Sequence, residues 1–85
     1  MSYTLEEARA QFLGEVRRDH SVDGPKQDAQ GTWEVLFGKK QRDGEWTPVS
    51  VNFGSDEEAA RQFAKELLKK VIELQVHLNV VARSE

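Results

Sequence analysis

Cysteine is absent from all 85 residues, which excludes disulfides, thiolate metal sites and a cysteine nucleophile. No apolar run approaches the roughly 20 residues that a membrane-spanning helix needs. The opening residues, MSYTLEEARAQ, carry acids where a secretion signal has a basic and then an apolar stretch. These absences predict a cytoplasmic protein with no membrane partner. The patterns G-x-G-x-x-G, Walker A, G-x-S-x-G and H-E-x-x-H are also missing, so no phosphate cradle, nucleophile elbow or zinc helix announces an enzyme or a cofactor. Gly38-Lys39-Lys40 has neither the upstream glycine nor the following helix of a phosphate loop. Neither sign of charge dominates. Twelve Lys and Arg against fifteen Asp and Glu leave a net charge of −3, too weak a field to draw the whole molecule to nucleic acid.

A chain of this length makes one small domain, residues 1–85, in which each core side chain counts. Two segments share a grammar: TLEEARAQFLGEV from Thr4 and SDEEAARQFAKEL from Ser55. Each opens with a hydroxyl residue followed three positions later by glutamate, a capping box, and each places acids in the first turn, where the helix dipole favours them. Leu5, Ala8, Phe12 and Val16 fall on one face at 100° per residue, predicting a first helix from Leu5 to Arg18. In the second segment Ala60, Phe63, Ala64, Leu67, Leu68, Val71 and Ile72 spread over more than half the circumference, enough to pack on a sheet and on the first helix together. Shared capping and packing needs explain the likeness without a duplication.

Between the helices, Trp33, Val35 and Phe37 alternate with polar neighbours, as do Val49, Val51 and Phe53, which predicts two strands. Asp43-Gly44 between them is a hairpin turn pair, and Pro48 lacks the amide hydrogen a central ladder needs. The polar stretch from His20 to Gly31, broken by Gly24-Pro25, reads as an irregular loop, either functional or disordered, and its composition favours disorder. The C-terminal part supports two readings. Leu74, Val76, Leu78 and Val80 alternate as in a third strand, while Leu67, Val71, Leu74, Leu78 and Val81 follow the 3–4 spacing of a coiled-coil seam. The strand reading predicts a two-layer α+β domain of order α-β-β-α-β, with a mixed three-stranded sheet and both helices on one face. The alternative is one long C-terminal helix. Either a sheet edge or the seam could bring two copies together as a homodimer.

Three groups of residues are candidates for function. His20 with Asp19, Asp23 and Asp28 has metal-ligating chemistry, but one histidine on a loop sets no geometry and no metal is expected. Lys39, Lys40 and Arg42 with Trp46 could hold a phosphate backbone and stack a base, although Asp43 and Glu45 offset that charge. The sheet face turned from the helices would show Leu36, Ser50, Asn52, Gln75, His77, Asn79 and Val81, a mix of neutral polar and aliphatic groups suited to a wet protein contact. The sequence therefore predicts a small non-enzymatic interaction module, an adaptor, modulator or inhibitor, whose partner is another protein met at a sheet face or edge strand. The second reading is a nucleic-acid-binding accessory protein using the basic hairpin at 39–46.

Overall fold

A computed structural model describes the backbone of residues 2–83 and the side chains of residues 2–76. The elements run α1 (Leu5–Phe12), β1 (His20–Gln27), β2 (Trp33–Lys39), β3 (Val49–Gly54) and α2 (Glu57–Arg83). The order is α-β-β-β-α. The three strands form one antiparallel sheet in the order β1-β2-β3, so the α+β class stands, whereas the expected α-β-β-α-β order and mixed sheet do not.

α1 starts as its sequence dictates. The Glu7 amide donates to Thr4 Oγ1 at 3.2 Å, and the Thr4 amide donates to Glu7 Oε1 at 3.1 Å. The helix stops at Phe12 and passes through a short 3₁₀ turn, Leu13–Glu15, well before the expected end at Arg18. Gly14 is a poor helix former, and extended backbone at Val16 drops that side chain into the core. The second helix is capped differently from the expected box: Asp56 Oδ1, not Ser55, accepts from the Ala59 amide at 3.1 Å. The starts Leu5 and Glu57 are thus one residue out of step with the sequence match, which pairs Leu5 with Asp56.

The stretch expected to be a disordered loop is the edge strand β1. Its ladder to β2 pairs Val22 with Phe37 and Asp23 with Leu36, then shifts register at a bulge between Asp23 and Lys26. An edge strand needs only its backbone to join a sheet, and the charges, proline and bulge that made HSVDGPKQ look irregular are features that keep an edge from pairing further. Val22 is its one large apolar side chain, packed at the margin of the core.

With the sheet complete, residues 74–82 are not a third strand; α2 continues through them to Arg83. No Gly or Pro interrupts the run from Glu57, and extending an existing helix is cheaper than starting a new element. Ala60, Phe63, Ala64, Leu67 and Val71 of α2 bury against Val35, Phe37, Val51 and Phe53, while Phe12 of α1 meets Phe37 edge-on at 6.1 Å. Both helices therefore cover one face. Val49, expected beneath them, is 40% exposed because it sits where β3 begins. Leu67 and Val71 are consumed by the core, so the seam Leu67–Val71–Leu74–Leu78–Val81 is not free to pair copies. The side chains of Leu78 and Val81 lie outside the described residues.

The helices are also tied by charge. Arg9 donates from Nε to Glu66 Oε1 at 2.7 Å and from Nη2 to Oε2 at 2.6 Å, and Gln62 donates to the same carboxylate at 2.9 Å. Hydrogen bonding from Arg9 holds the Glu66 carboxyl below its ordinary 4.5, outweighing the opposing effect of burial. A carboxyl whose folded pKa is lowered adds stability above its unfolded pKa and loses it as pH falls through the folded value. Glu66→Gln is therefore expected to show a shallower loss of stability than the parent between about pH 5 and pH 3, read from urea midpoints. Identical acid limbs in the two proteins would show that the pair contributes nothing.

Candidate functional site: the uncovered sheet face

The strand registers decide what the free face carries. Lys40 bridges Trp46, Leu36 pairs with Ser50 and Glu34 with Asn52, so these side chains share one face with Gly38 and Pro48, which lie between them in both strands. From β1, Asp23 stands beside Leu36 and Lys26 beside Glu34. Residues of opposite parity, Val35, Phe37, Val51 and Phe53, are the buried ones. The face away from the helices thus joins parts of two groups that the sequence kept apart: Leu36, Ser50 and Asn52 from the sheet candidates, Lys40 and Trp46 from the basic hairpin.

Trp46 is the largest feature there. Its ring lies over the Cα side of Gly38: a Cβ added at that glycine would be 3.5 Å from Trp46 Nε1 and 3.1 Å from the Pro48 Cα. Glycine at this position leaves room for the indole and the proline to approach the sheet closely. The indole N–H is turned into this contact, where it is buried with no acceptor. Lys40 Nζ sits 5.1 Å above the ring centroid, a cation–π arrangement. Beside them Ser50 Oγ donates to Glu34 Oε2 at 2.9 Å.

The hairpin's cations do not act together. Lys39 points to the helix side and pairs with Asp19 at 3.5 Å, opposite Lys40 across the sheet. Arg42 is on the exposed tip, in a turn closed by the Gly44 amide donating to the Gln41 carbonyl at 3.1 Å. Asp43 Oδ1 accepts from the Glu45 amide at 3.0 Å. Only Lys40 keeps company with Trp46.

The remaining candidates are placed elsewhere. Asn52 contributes less to the face than expected, since its Oδ1 accepts from the Gly54 amide at 2.7 Å and shapes the end of β3. Its carbonyl also accepts from the Tyr3 amide at 2.7 Å, so the N-terminal segment covers part of the β3 edge. Gln75 is not on the sheet: from α2 it donates to the Arg18 carbonyl at 2.9 Å, bracing the connection into β1. The side chains of His77, Asn79 and Val81 lie outside the described residues. His20, expected in a solvated loop, is half-buried on the helix side of β1. Its Nδ1 accepts from the Arg17 amide at 3.2 Å, and its ring lies 5.8 Å from Phe37. Among the described residues no group of three or more His, Asp or Glu is placed to hold a metal ion, and no helix is long and apolar enough to cross a membrane.

No family model, curated protein or solved structure matches the chain.

Proposed function

We propose that this chain is a small non-enzymatic interaction module that binds a partner protein on the uncovered face of its sheet, with Trp46 as the anchor. The observation that carries this reading is the row Leu36, Pro48 and Trp46, contiguous on a face that neither helix covers and flanked by Lys40 and Ser50. Binding energy in protein contacts concentrates in a few aromatic anchors surrounded by polar groups that exclude water, and this face has that composition. No cofactor takes part. Lys40 with Trp46 is also the chemistry of a base-stacking site. Lys39 on the other side of the sheet, and Asp43 and Glu45 beside Arg42, leave too little positive charge next to the ring to track a phosphate backbone.

A photo-crosslinking residue at the exposed Ser50, introduced in the native cell, tests the reading. The expected result is a discrete protein adduct that disappears when Trp46→Ala is added and is absent when the same probe replaces Glu58 on α2. An adduct removed by nuclease, or sub-micromolar and salt-sensitive binding of single-stranded RNA or DNA, would overturn it in favour of nucleic acid.

A further inference from the structure

The helical layer has its own uncovered feature. One position round from the buried Leu67 and Val71, α2 carries Leu68, Ile72 and Val76, which are 51%, 50% and 53% exposed. Their four-residue spacing makes them a single ridge. At its start the ridge meets a groove of about 270 Å³ between α2 and β1, walled by Val22, Pro25, Ala64, Lys65 and Leu68. We infer that this ridge is a self-association surface, on which a second copy of the chain lays its own α2 antiparallel to the first about a two-fold axis.

The occupant is identified by self-complementarity. A two-fold contact requires that whatever residue i meets in residue j, j also meets in i. Setting the axis level with Val71 brings Leu68 and Ile72 of both copies to the centre, with each Val76 outside them. Along the helix the six side chains then alternate between copies: Val76, Leu68, Ile72, Ile72, Leu68, Val76. Successive members stand about 3 Å apart at a rise of 1.5 Å per residue. Leu68 and Ile72 of one copy each enter a gap between two side chains of the other, and each Val76 closes an end of the row against the other copy's Leu68.

The same register decides the charges without further adjustment. Lys69 of one copy stands opposite Glu73 of the second, and Glu73 opposite Lys69. Both residues are exposed, both flank the ridge on the same side at 100° per residue, and like flanks meet in an antiparallel helix pair. Among the described residues neither is held in an ion pair within its own chain. Val76 of the second copy arrives level with Glu66, beside the mouth of the groove between Lys65 and Leu68. A ridge that interdigitates with itself and matches opposite charges in one register is addressed to a second copy more closely than to an unrelated helix. The ridge lies on the opposite layer from the Trp46 face, so a dimer leaves that face open and this inference does not rest on the reading above.

Sedimentation equilibrium of the full chain over about 1–500 μM, at low ionic strength so that exposed charges are felt, provides the test. The parent is expected to be a reversible dimer. Lys69→Glu and Glu73→Lys are each expected to weaken association about tenfold, because each turns two attractive contacts into two repulsive ones. The double variant, with the charges exchanged, is expected to regain the parental constant to within about threefold. Ile72→Asp is expected to give a monomer with unchanged circular dichroism and a melting temperature near that of the parent at dilutions where the parent too is monomeric, since Ile72 is half exposed in the single chain. A parent that stays monomeric throughout the range overturns the inference. So does a dimer that tolerates Ile72→Asp, or one in which the double charge variant is no tighter than the singles.

Discussion

Replacing Phe63 by alanine is expected to lower stability by about 3–5 kcal/mol, the usual cost of truncating a fully buried aromatic. Phe63 has no exposed surface, and its ring lies 5.4 Å from that of Phe53, so it fills the space between α2 and β3. Three of the flanking core positions on the helix, Ala59, Ala60 and Ala64, are too short to close over the cavity left behind. A domain of this size has few kcal/mol in total. The variant is therefore expected to be largely unfolded at physiological temperature, with its urea midpoint shifted to low concentration at unchanged slope. Phe63→Leu, which keeps most of the volume, is expected to lose less than half as much. Midpoints for Phe63→Ala close to the parental value would mean that the ring is not part of the core.

The second large effect is expected at the β1 bulge. Gly24 has φ of +124°, a conformation that side chains rarely adopt. A Cβ there would stand 3.0 Å from the Glu34 carbonyl oxygen and 3.2 Å from the Val35 Cα. Both are main-chain atoms of the central strand and cannot swing aside. Gly24→Val is expected to cost about 2–4 kcal/mol, the strain of the backbone angle added to a displaced ladder. Gly44 at the hairpin tip makes the control. Its φ is +88°, and nothing lies within 4 Å of an added Cβ, so Gly44→Ala carries the angular strain alone, about 1 kcal/mol. Equal melting temperatures for Gly24→Val and Gly44→Ala would show that the close approach of β1 to β2 is not constraining.

Much of this architecture is legible in side-chain spacing, wherever spacing and burial coincide. Val35, Phe37, Val51 and Phe53 alternate and are buried, and the Thr4–Glu7 capping box forms as written. β1 is not legible because pairing along β2, rather than apolar content, makes it a strand. The C-terminal half of α2 carries both periodicities in the same residues, and with no Gly or Pro to interrupt the run from Glu57 it stays helical. For the candidate site, strand parity predicts Leu36 and Ser50. Trp46 joins them only once the Asp43-Gly44 turn is counted into the register, since Lys40 and Trp46 then fall opposite each other. Gln75 is not on this face because the alternation around it belongs to α2 and not to a strand. The ridge Leu68–Ile72–Val76 is not legible because spacing alone does not divide the wide apolar face of α2 into its buried and exposed parts.

The meander β1-β2-β3 joins strands that follow one another in the chain, so each pairing closes a short loop. The contact of α1 with α2 is different, because Arg9 and Glu66 lie 57 residues apart. Closing so long a loop carries a larger entropic cost, and it gains little until the strands between are already in place. Assembly is thus expected to be ordered, with the hairpins and α2 forming a platform before α1 closes over Phe37. The same order run backwards makes α1 the first element released from the native state. Amide hydrogens of Ala8 to Phe12 are then expected to exchange through a local opening, while those of Val35 to Phe37 exchange only when the whole molecule unfolds.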